Sequence, residues 1–74
     1  MPRLIRMDAR GHSTLAEWTR EDQAAFEAAV EQFRSGLEGG YIGVLDRGEG
    51  RAEQVRELPR DAELVIMRRP IAGG

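Results

Sequence analysis

Only one stretch of this chain carries a helical stripe, and that limits the fold more than any other feature. Phe26, Ala29, Val30, Phe33 and Leu37 recur at spacings of three and four, while Glu27, Glu31, Gln32 and Arg34 fall mostly off that line. Such spacing gives an α-helix one apolar face and one wet face. Thr19 is suited to cap its start, with a hydroxyl able to accept from the Asp22 N–H. Asp22, three residues on, makes a weaker version of the capping box, and Glu21 and Asp22 both favour the positive helix end. Glu27 and Glu31 repel at i,i+4, and Arg34 compensates at i,i+3 from Glu31. Gly36 and then Gly39-Gly40 predict a stop near Leu37 or Glu38. One helix with one apolar face needs one surface to receive it.

The remaining apolar residues come in runs too short for helices. Met1 to Met7, with Leu4, Ile5 and Met7, suits a strand buried on at least one face. Asp8 to Ser13 reads as a turn cluster in which Gly11 can take positive φ, and Thr14 to Trp18 as the second strand of a hairpin. After the helix, Tyr41 to Leu45 is a buried-looking strand, Asp46 to Gly50 a turn, and Arg51 to Leu58 a more polar strand. Pro59-Arg60-Asp61-Ala62 breaks that strand. Glu63 to Met67 is the most hydrophobic run and asks for cover on both faces, as a central strand does. Pro70 cannot donate to a ladder, so pairing should fail near Arg69. The order strand, strand, helix, strand, strand, strand predicts a two-layer α+β domain over residues 1–69, with a mixed sheet of four to five strands and one helix packed across one face. The first and last strands would lie together at its centre. Residues 70–74 would then leave the middle of the sheet as a flexible tail.

Composition removes several function classes. A 74-residue chain has room for one small core, and such cores rarely contribute more than about 3–5 kcal/mol. Cysteine is absent and His12 is the one histidine, so thiolate metal sites, His-rich metal clusters and nucleophile–base pairs have no residues to be built from. His12, in a turn, is expected to be exposed and idle. A net charge of −2 argues against a general nucleic-acid binder, which needs a basic excess. The first ten residues are neither a signal peptide nor a membrane span, and a cytoplasmic protein is the default. Asp46-Arg47-Gly48-Glu49-Gly50 lacks calcium-loop spacing, and Gly48-Glu49-Gly50 has no Lys-Ser/Thr after it to make a phosphate loop. All eleven basic residues are arginine, so the N-terminus is the only primary amine to be expected.

The element order, Gly40-Tyr41, and the closing stretch Arg68-Arg69-Pro70-Ile71-Ala72-Gly73-Gly74 resemble the β-grasp family of ubiquitin-like proteins and sulfur carriers. The ending looks in particular like that of small ubiquitin-like proteins from bacterial conjugation operons. Pro70 and the missing lysines depart from ubiquitin itself. The resemblance implies a carrier and not an enzyme. Gly74 would carry the reacting carboxylate, and Gly73 would give clearance in a narrow channel. Ile71 and Ala72 would follow it there, and Arg68 and Arg69 would be read by an acidic groove on the activating enzyme. Partners would be an E1-like adenylating enzyme, an E2-like conjugating enzyme and a deconjugating peptidase, with neither nucleic acid nor membrane involved. No cofactor would be bound, because ATP belongs to the activating enzyme.

Two functions share this ending, a modifier joined to a target amine and a sulfur carrier with a C-terminal thiocarboxylate; a third, a non-covalent module or homo-oligomer, would survive removal of Gly73-Gly74. Trp18 and Tyr41 are the candidate interface residues for the third. Trp18 is expected to be half-buried beside the helix cap, and Tyr41 to lie at a strand edge.

Overall fold

β1 (Arg3–Asp8) and β5 (Leu64–Arg68) pair in parallel at the centre of a five-stranded sheet, in a computed structural model that describes residues 1–70. β2 (Gly11–Glu17) lies antiparallel outside β1. β3 (Ile42–Gly48) runs antiparallel to β5, and β4 (Arg51–Val55) runs antiparallel to β3. The sheet order is β2-β1-β5-β3-β4, with α1 (Gln23–Glu38) packed across one face. The class is α+β, with one helix and a mixed sheet, and the central pairing of first and last strands agrees with the reading from sequence.

The core follows from two periodicities meeting. Period-two alternation points Leu4, Leu45, Val65 and Met67 at the helix, and the helical stripe returns Ala29 and Phe33; all of these are buried. Phe26, Val30 and Leu37 pack against this cluster from the same stripe. The layers approach closely because Gly43 carries no side chain: a Cβ there would overlap the Phe33 ring.

Several local expectations are corrected. The helix cap is Asp22 and not Thr19. Asp22 accepts from the Ala25 N–H at 2.9 Å, while Thr19 O accepts from the Asp22 N–H in a turn that carries the chain from β2 over the sheet. The polar stretch Asp8–Ser13 is mostly strand. Its turn is only Ala9-Arg10, with the Asp8 carboxylate accepting from the Arg10 N–H at 2.8 Å. An edge strand can be polar on both faces and still complete its ladder, so polarity there gave a false turn signal. β4 ends at Val55, and Leu58, expected inside it, is instead a buried plug in the connection to β5 together with Ala62.

β5 is central but covered on one face only. Val65 and Met67 are fully buried under the helix, whereas Leu64 and Ile66 are half-buried on the open face. Ile66 is flanked there by its register partners Ile5 and Val44, so lateral neighbours supply the shielding that a second layer would have given.

Candidate functional site at the end of the central strand

The helix terminus fixes the first member of this site. Gly39 is the C-cap, and Gly40 takes φ of +93°, a conformation that favours glycine. The chain therefore doubles back, and the Tyr41 N–H donates to Gly36 O at 3.0 Å. Tyr41 is left half-buried just ahead of β3. The register Ile42 opposite Arg68 and Arg6 opposite Met67 brings the start of β3 beside the ends of β5 and β1. Arg69, one residue past β5, lies over the Tyr41 ring with its guanidinium carbon 4.8 Å from the centroid. Arg6 approaches the same ring at 5.9 Å. One phenol thus meets two guanidiniums, a geometry in which each cation is attracted by the ring.

Arg6 shares its face of β1 with Leu4, the helix side. Its Nε is buried and has no hydrogen-bond partner among the described residues. A buried donor left without an acceptor costs about 1–3 kcal/mol. The pocket around it holds about 130 Å³ and is lined by Leu15, Gln32, Ser35, Gly36, Gly39, Tyr41 and Met67. A wider cleft of about 480 Å³ adjoins Tyr41, lined also by Met7, Asp8, Ala9, Arg68 and Arg69.

The ion pairs among the described residues lie elsewhere. Arg47 pairs with Glu53 at 2.9 Å, Arg20 with Asp61 at 3.9 Å, and the N-terminal amine with Glu63 at 3.8 Å. Asp8 is the one carboxylate lining the cleft, and its Oδ1 is already occupied by the Arg10 N–H. Arg68 and Arg69 therefore line a cleft with little compensating negative charge, while Arg6 lies on the helix side of the sheet, the opposite face from Arg68.

Of the residues singled out from sequence, Arg68, Arg69 and Tyr41 come together here. Ile71, Ala72, Gly73 and Gly74 lie outside the described residues. Trp18 is at the opposite end of the sheet, where its N–H donates to Pro2 O at 3.1 Å, just ahead of β1. It is buried to 1% exposure and not half-buried as expected, which leaves almost no surface for an interface. The Asp22 cap starts the helix late and lets Phe26 pack edge-on against the indole at 5.6 Å, while the indole N–H donates to Arg60 O at 3.1 Å. His12 is exposed, as expected.

Arg6 is the member that sequence reading missed. The signal was present: in the alternation Leu4, Ile5, Arg6, Met7, an arginine stands on the same face as Leu4, where a core residue belongs.

No group of three or more His, Cys, Asp or Glu among the described residues could hold a metal ion, and no helix among them is long and apolar enough to cross a membrane. What the cluster offers is charge-assisted, planar hydrogen bonding to a carboxylate or another oxyanion. Compared with family models, with curated proteins and with solved structures, the chain finds no match.

Proposed function

We propose that this chain is a ubiquitin-like protein modifier of the β-grasp type. One observation carries the reading: the last strand is central and ends at Arg68, beside a cationic cluster and two residues before Pro70. The sequence that follows this central strand closes on Gly73-Gly74. The parallel first and last strands, the flanking hairpins and the single helix on one face support the β-grasp assignment.

The chemistry resides in partners. A Gly74 carboxylate oxygen attacks the α-phosphorus of ATP on an E1-like enzyme and pyrophosphate leaves. An enzyme thiolate then attacks the acyl carbon and displaces AMP. A target amine, losing a proton, finally displaces the thiol of an E2-like enzyme after transfer between thiols. This chain contributes a narrow tail and a charged root by which it is held.

Incubation with the cognate activating enzyme and ATP should give an adduct that thiols release and that deletion of Gly74 abolishes. No adduct from the intact chain would refute the reading. A C-terminal thiocarboxylate in protein from the native host, seen by intact mass in place of a conjugate, would reassign the same tail to sulfur carriage.

A further inference from the structure

We propose that the recess at the end of α1, centred on Arg6, binds a short-chain monocarboxylate. The site lies on the helix side of the sheet, on the opposite face from Arg68, and stands whether or not Gly74 is ever activated.

The first ground is an unmet donor. The Arg6 Nε–H is buried without an acceptor among the described residues, where the ion pairs engage Arg20, Arg47 and the N-terminal amine instead. The carbonyls at the helix end are already engaged. Ser35 O accepts from the Gly39 N–H, Leu37 O from Gly40 and Gly36 O from Tyr41. Capping has thus consumed acceptors that a helix C-terminus would otherwise offer a cation. A guanidinium does not shed its charge, so an acceptor from outside the chain is what completes it.

The second ground is size. The recess holds about 130 Å³, room for roughly four waters or one small organic anion. Two glycines of the helix end help to make it. A Cβ at Gly36 would overlap the Met67 methyl, and no side chain projects from Gly39. A folded partner surface does not fit such a volume, whereas a single carboxylate does.

The third ground is the chemistry of the lining. Arg6 offers a planar fork. Gln32 and Ser35, both exposed, add an amide and a hydroxyl, and the side-chain hydrogen bonds among the described residues involve neither. Leu15 and Met67 supply an apolar wall, and no carboxylate among the described residues lines the recess. A monocarboxylate matches both halves, with two oxygens for the donors and a short alkyl end for the wall. Phosphate is polar on every side, so the same wall leaves part of it unpaired.

The test uses the full chain, labelled with nitrogen-15 and titrated with sodium propionate or with sodium chloride at matched ionic strength. The Arg6 Nε–H resonance and the Ser35 and Gly36 amides should shift saturably with propionate. The Arg47 Nε–H, already donating to Glu53 at 3.0 Å, should stay in place. At ten times the dissociation constant, the folded-to-unfolded ratio in urea should rise about elevenfold. Arg6→Met should abolish the binding, and Ser35→Ala should weaken it about fivefold. Ser35 is exposed on a helix, where alanine is well tolerated, so S35A remains informative even where R6M unfolds.

Four results would overturn the site: no saturable shift with propionate, equal shifts with chloride, equal affinity for inorganic phosphate, or undiminished binding in the folded variants. A chain lacking Gly74 should bind propionate as before. Lost propionate binding with an intact ATP-dependent adduct sinks this site alone. A missing adduct with intact propionate binding sinks the modifier reading alone.

Discussion

The two ends of the sheet are built from the same parts and use them oppositely. At one end Trp18, Phe26 and Arg60 combine an indole, a phenyl ring and a guanidinium. At the other, Tyr41, Arg6 and Arg69 combine a phenol with two guanidiniums. Around Trp18 the polar groups are matched: the indole N–H has a carbonyl, and the Arg60 guanidinium lies 4.8 Å above Phe26 and donates to Gln23 Oε1. Around Tyr41 the rings and cations meet, but the Arg6 Nε–H finds no acceptor among the described residues. An aromatic–arginine contact is thus neither structural nor functional by nature. What decides is whether folding also supplies the acceptor.

The comparison breaks most decisively at Trp18. Trp18→Ala should cost about 3–5 kcal/mol in urea unfolding, without changing the propionate affinity of the fraction that stays folded. A loss below about 1 kcal/mol would mean that this end is not closed after all. Arg60→Ala should cost about 1–2 kcal/mol, because it removes both a cation–ring contact and a hydrogen bond. Arg6→Met should have the opposite sign. It keeps a long apolar stem under the helix, removes the unsatisfied N–H, and should raise stability by roughly 0.5 kcal/mol while propionate binding is lost. A destabilised R6M chain with unchanged binding would reverse the assignment of the two ends. The exposed Arg69→Ala variant is the finest probe, with stability unchanged to within about 0.5 kcal/mol.

Most of this architecture was legible because it depends on repeats. The stripe Phe26, Ala29, Val30, Phe33, Leu37 specified the helix and its buried face, and the short apolar runs specified the strands. The end of the helix was read to within a residue of Glu38, since Gly39-Gly40 is an unambiguous stop. Its start was misplaced because Thr19 and Asp22 are both competent caps, and only the path from β2 over the sheet selects between them. Leu58 shows a second blind spot. A hydrophobic residue beside a strand looks like a continuation of it, although burial in a loop serves it equally well. The candidate site was half legible. Arg68 and Arg69 stood out through the resemblance of the closing stretch, and alternation marked Arg6 as an arginine on a core face, but that it meets Tyr41 beside Arg69 follows from parallel pairing over a long separation, which no local pattern encodes.

That long-range pairing bears on how the protein is made. β1 is synthesised well before β5, and its inner edge has no partner until Leu64–Arg68 follow. Closing so long a loop is entropically slow, and until then two hairpins and a helix lack the strand that joins them. A nascent chain that stalls before Leu64 therefore has no sheet to complete and exposes the apolar residues that proteases and chaperones engage. If the stretch beyond β5 is the working end, it is presented by a folded domain only once β1 and β5 have both been made and have paired, so an interrupted copy never presents it.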